Sequence, residues 1–188
     1  MNKLLLVLLL EMTTMTTILC LRKREAELVR VLADKYNIDY QVVVVSQDKI
    51  EPEFLPTQPR FTQITTPDNV EKAVIRNSRF VKLGYFLFLE DDQQTEDILN
   101  KFDKIMFQKY VWFIKAYDIH NTFDLELEFD MDINILHDTG TGVDIYELYG
   151  LQGNTILKRF GRFGNTLFTF ESINRLERRT DLMGLTLR

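Results

Sequence analysis

At 188 residues, 45% of them apolar and 27% charged, the chain is long enough and apolar enough to bury one core of ordinary size, and the composition excludes a disordered polymer. A formal charge of −5 and a pI near 5.2 argue against a nucleic-acid binder. The charge is uneven: Ile156 to Arg188 holds seven Lys/Arg against three Asp/Glu, or +4, so Met1 to Thr155 carries −9.

In chain order, Met1-Asn2-Lys3 precedes the apolar run Leu4 to Leu10, and Glu11 interrupts it. A short positive region followed by such a run reads as a signal peptide over residues 1–20. A buried first strand over Leu4 to Leu10 and a membrane anchor are the alternatives. The anchor ranks last, because a span needs about 20 unbroken apolar residues. Cys20 is the only cysteine, which leaves no internal disulfide and no four-thiolate zinc site. Glu25 to Tyr36 places Leu28, Val29, Val31, Leu32 and Tyr36 at helical spacing, so an amphipathic helix is expected.

Tyr40 to Val45 is a β-branched run suited to a strand covered on both faces. Glu51 to Pro59 holds three of the four prolines and reads as a loop. A short strand is expected at Phe61 to Thr66, then a helix over Asn69 to Asn77 capped by Asp68. Val81 to Leu89 and Tyr110 to Tyr117 read as strands. Thr95 to Phe107 lies between them as one helix with Ile98, Leu99, Phe102, Ile105 and Met106 on its apolar face. Strands alternating with helices of this length imply a largely parallel sheet.

From Asp124 the period changes to two. Asp124, Glu126, Glu128, Asp130 and Asp132 alternate with Leu125, Leu127, Phe129, Met131 and Ile133, which predicts a strand with one acidic and one apolar face. Asp144 to Leu151 and Thr155 to Phe163 follow as strands of an antiparallel meander. Ser172 to Arg179 reads as a helix whose basic last turn suits its dipole.

The chemistry-bearing patterns are few. Same-face carboxylates on a strand stand about 6.6–7 Å apart, too far for neighbours to share an ion. Asp130-x-Asp132-x-Asn134 opens like a calcium loop, but Ile135 and Thr141 occupy the positions that need Gly and Glu. The bland reading of the acidic ladder is a solvated face that discourages edge pairing. His120 and His137 form no metal-spaced pair, and Gly140-Thr141-Gly142 reads as a hairpin turn rather than a phosphate cradle. The aromatics of Tyr110-Val111-Trp112-Phe113 read as core. No catalytic, cofactor-binding or metal residue is assigned, and no cofactor is expected.

The closing stretch Arg178-Arg179-Thr180-Asp181-Leu182-Met183-Gly184-Leu185-Thr186-Leu187-Arg188 reads as a helix end, a turn and an opening strand, as in the front part of something longer. Its order resembles the lead-in to the ligand-binding domain of insect ionotropic receptors, the chemosensory relatives of ionotropic glutamate receptors. Tyr110 to Phe113, Phe129 to Ile133, Asp144 to Tyr149 and Arg159 to Phe163 are similar to segments that precede the lead-in in that family. The N-terminal half is closest in organisation to the reduced amino-terminal domain of the acid-sensing olfactory subgroup.

The resemblance implies an α/β fold with a partly parallel sheet and flanking helices, of periplasmic-binding-like type, followed by a β-meander and a linker helix. It implies a signal peptide at 1–20, an extracellular domain at 21–170, and a linker with the first ligand-binding-domain strand at 171–188. Such a region belongs to a ligand-gated cation channel at the cell membrane. It does no enzymatic chemistry, assembles with other subunits including a co-receptor, and reaches the membrane through a downstream part. The ligand-contacting residues would follow Arg188. The alternatives are a soluble intracellular α/β interaction domain and, third, a small hydrolase using Asp130 and Asp132.

Overall fold

A computed structural model of the chain describes residues 24–46, 61–73, 82–120, 123, 125–164, 168–170 and 179. The signal-peptide segment with Cys20, the proline-rich loop and the linker residues other than Arg179 lie outside these.

The first helix, α1, covers residues 24–35 as the periodicity predicts. It is followed by strands β1 (Tyr40–Val45) and β2 (Phe61–Thr65), a 3-10 helix at Pro67–Ala73 and strand β3 (Leu83–Phe88). Helices α2 (Asp92–Leu99) and α3 (Lys104–Lys109) lead into β4 (Val111–Ala116). Then come β5 (Asp132–Asp138), β6 (Gly142–Leu151), β7 (Asn154–Gly164) and β8 (Phe168–Phe170). All eight strands form one sheet in the order β2-β1-β3-β4-β5-β6-β7-β8. The first five run parallel, and β5 to β8 continue as an antiparallel meander. The fold is therefore α/β around a mixed, mostly parallel sheet.

Alternation of side chains across the central strands builds two cores. Val42, Val44, Tyr85, Leu87, Trp112 and Ile114 face α2 and α3, where they meet Ile98, Leu99 and Phe107. Val43, Val45, Phe86, Phe88 and Phe113 face the opposite way, onto Leu28, Val29, Leu32 and Tyr36 of α1. Burial on both sides explains why β1, β3 and β4 are almost continuously apolar.

Three expectations are corrected. The helix predicted over Thr95 to Phe107 begins earlier and is two helices. Asp91 caps α2 by accepting from the Gln94 amide at 2.8 Å, and Asp103 caps α3 by accepting from Met106 N at 3.1 Å. Two local capping residues outcompete one continuous apolar stripe. The helix predicted from Asn69 is a 3-10 turn, with the Thr66 carbonyl, rather than Asp68, receiving the Asn69 amide at 3.0 Å. Its predicted end, beyond Ala73, lies outside the described residues.

The acidic ladder is the third correction. Residues 125–128 have no regular structure, 129–130 form a turn, and the strand starts only at Asp132. Leu125 and Leu127 pack on the helix-side core, while Glu128 is drawn to Lys104 and Gln108. Side-chain partners on α3 and a single backbone bond from Gly150 to the Glu128 carbonyl hold the segment instead.

Candidate functional site

The residues singled out in the sequence do not converge on a catalytic constellation. Lys104 Nζ lies 2.7 Å from Glu128 and 3.5 Å from Glu126, and Asp130 accepts from Gln108 Nε2 at 3.3 Å. The hydrogen bond and charge of Lys104 hold the Glu128 carboxyl below its usual range. Asp132 receives one hydrogen bond from Asn134 at 3.3 Å. His120 is exposed, and His137 sits on β5 with Nδ1 3.4 Å from the Ala116 carbonyl. Gly140 has φ +79° in the turn between β5 and β6, where Thr139 N donates to the Gly142 carbonyl, so the hairpin reading holds. Trp112 is buried, and its indole N–H donates to the Met106 carbonyl. Among the described residues no group of three or more His, Cys, Asp and Glu side chains is placed to hold a metal.

Asn134, the third residue of the calcium-like triplet, has a structural place instead. Its side chain is fully buried, accepts from the Tyr36 hydroxyl at 3.1 Å and donates to the Trp112 carbonyl at 3.1 Å. The end of α1 is tied to β4 and β5 through this amide.

Directly opposite Asn134 across the antiparallel pair stands Glu147 on β6. Val143, Ile145, Glu147, Tyr149 and Leu151 share one face of that strand, and all are buried. Glu147 is the one charge in that row. Its partner comes from the far end of the chain: Arg179 Nη2 lies 2.7 Å from Glu147 Oε1, with both side chains completely buried. The guanidinium also donates to the carbonyls of Met131, at 2.9 Å, and Phe129. It lies 4.3 Å from the Tyr149 ring centroid and 5.3 Å from that of Phe129. Two carbonyls, a carboxylate and two ring faces surround one cation, the combination that a buried guanidinium needs.

Sequence reasoning placed Arg179 in the linker and missed Glu147, Tyr149 and Phe129 as its partners. The available signal was Glu147, a lone acid at an otherwise apolar parity of a strand. The turn at 129–130 is held nearby by Gly150, whose amide donates to the Glu128 carbonyl at 3.2 Å. A Cβ at position 150 would overlap the Leu127 carbonyl, so glycine is required for this approach.

The carboxyl ends of parallel strands are the usual place for a ligand crevice. Among the described residues, two ion pairs lie at that edge beside β4 and β5. Lys115 on β4 meets Glu25 of α1 at 2.9 Å, and Arg24 lies 3.6 Å from Asp138 at the end of β5. Burial pulls the Lys115 pKa down, but the charge and hydrogen bond of Glu25 outweigh it and leave the value raised. The space between the pairs, above Leu28 and Phe88, is about 20 Å³. That is room for a single water.

No protein-family model matches the chain, and neither a curated protein nor a solved structure is similar enough to count as a match. Among the described residues no helix is long and apolar enough to cross a membrane.

Proposed function

We propose that the chain is the N-terminal extracellular region of an ionotropic chemosensory receptor subunit, a ligand-gated cation channel. In this reading the sheet is a reduced, periplasmic-binding-like amino-terminal domain. Its work is subunit assembly and the positioning of a ligand-binding domain that begins with the lead-in after Arg179. The observation that carries the reading is the buried Arg179–Glu147 pair. Arg179 belongs to the paired-arginine segment that resembles the family's lead-in. Its partners come from Phe129 to Ile133 and from Asp144 to Tyr149, two other segments on which the resemblance rests. The buried pair ties Arg179 to the sheet, which supports a positioning role.

The test uses the full-length subunit co-expressed with its co-receptor, with an epitope inserted between the exposed residues Gly140 and Thr141. Labelling of unpermeabilised cells is expected, and Arg179→Met should lower surface density several-fold through lost stability. Labelling only after permeabilisation would favour the intracellular interaction domain and overturn the receptor reading.

A further inference from the structure

Helices α2 and α3 meet at a corner, and the irregular segment 125–128 runs opposite it. Between them lies a cleft of about 200 Å³, floored by Leu99, Phe102, Phe107 and Met131, with Lys104 and Glu126 at its mouth. A cavity of ~150 Å³ accommodates benzene. This cleft therefore has room for a phenyl-sized body with a short tail, and it lies below the ~300 Å³ at which pockets for larger ligands begin.

Charge decides the head group. The Lys104 ammonium is engaged by Glu128 at 2.7 Å and reaches Glu126 only at 3.5 Å, with the Glu126 side chain 87% exposed. One cation serves two carboxylates. The mouth thus carries a surplus of negative charge, and Glu126 is the carboxylate that lines the cleft itself. An incoming carboxylate would meet repulsion from Glu126 and Glu128. An incoming ammonium would displace only a long, solvated contact of little worth, and the rings of Phe102 and Phe107 below add a cation-attracting surface.

We propose that this cleft binds a small hydrophobic amine, its apolar body on Phe102 and Phe107 and its ammonium on Glu126. The site touches the Arg179 anchor only at Met131 and does not depend on the receptor reading. It is tested by titrating the ¹⁵N-labelled chain with phenethylamine and, separately, with 3-phenylpropionate, which has the same body and the opposite charge. Phenethylamine should give saturable shifts at the amides of Phe102, Lys104, Phe107 and residues 125–131, with 3-phenylpropionate at least about fivefold weaker. Glu126→Gln, at a position too exposed to disturb folding, should weaken the amine by about fivefold, the span of an exposed ion pair. Glu90→Gln, at another exposed acid, should change nothing. The proposal is overturned if neither compound binds, if the shifts fall elsewhere, if the carboxylate binds as tightly as the amine, or if Glu126→Gln has no effect.

Discussion

One guanidinium ties the chain at Arg179 to β6 and to the turn before β5. Breaking a buried ion pair leaves a charge without its counter-ion and costs about 3–5 kcal/mol. Arg179→Met should therefore lower the unfolding free energy by roughly that amount in urea titrations. Adding Glu147→Met should restore most of it, because an apolar pair removes the stranded charge. A loss under 1 kcal/mol for the single variant would mean that Arg179 does not anchor the chain end. Lys115 has a pH signature. Its folded pKa is raised above the unfolded value, so its contribution is fully present below about pH 10.4 and is lost as pH rises through the raised value. The stability difference between wild type and Glu25→Gln should accordingly be largest near neutral pH and close in alkali. A difference that grows with pH would contradict the assignment.

Among the elements, the acidic segment shows how local pattern and tertiary partner compete. Its strict alternation was legible and suggested a strand, but the partners that decide its path, Lys104, Gln108 and Gly150, lie about 20 residues away in sequence on either side. Gly150→Ala should push the 125–128 segment off β6 and cost about 1–3 kcal/mol, the range for forcing extra atoms into a packed contact. Faster hydrogen exchange at residue 150 should accompany it, since the segment's backbone bond to Glu128 would loosen. An unchanged melting midpoint would show that the segment gives way freely. The split of α2 from α3 has a similar origin: Asp91 and Asp103 each satisfy an amide three residues on, which a helix-period count does not weigh.

Across the whole molecule, the sheet has a protected centre. β1, β3 and β4 are covered by helices on both faces, whereas among the described residues β8 pairs with β7 through three. Amides of Val42 to Val44, Tyr85 to Leu87 and Trp112 to Ile114 should be the last to exchange, at rates set by global unfolding, and those of β8 among the first. Protection that instead peaked in β6 and β7 would place the stable unit in the meander. At the carboxyl ends of β4 and β5, Glu25 and Asp138 pair with Lys115 and Arg24.

Hydrophobic period marked β1, β3, β4 and α1, because these are specified by apolar runs and stripes that their own residues carry. The antiparallel meander was legible in part, through Gly140 and the turn between β6 and β7. What only tertiary structure decided is the pairing of charges. Glu147 and Arg179 lie 32 positions apart, and nothing local to either marks the other. Their contact exists because a charge desolvated in the finished core requires a counter-charge close by. The same holds for the cleft at Phe102 and Glu126, whose walls come together only when α2, α3 and the acidic segment have packed.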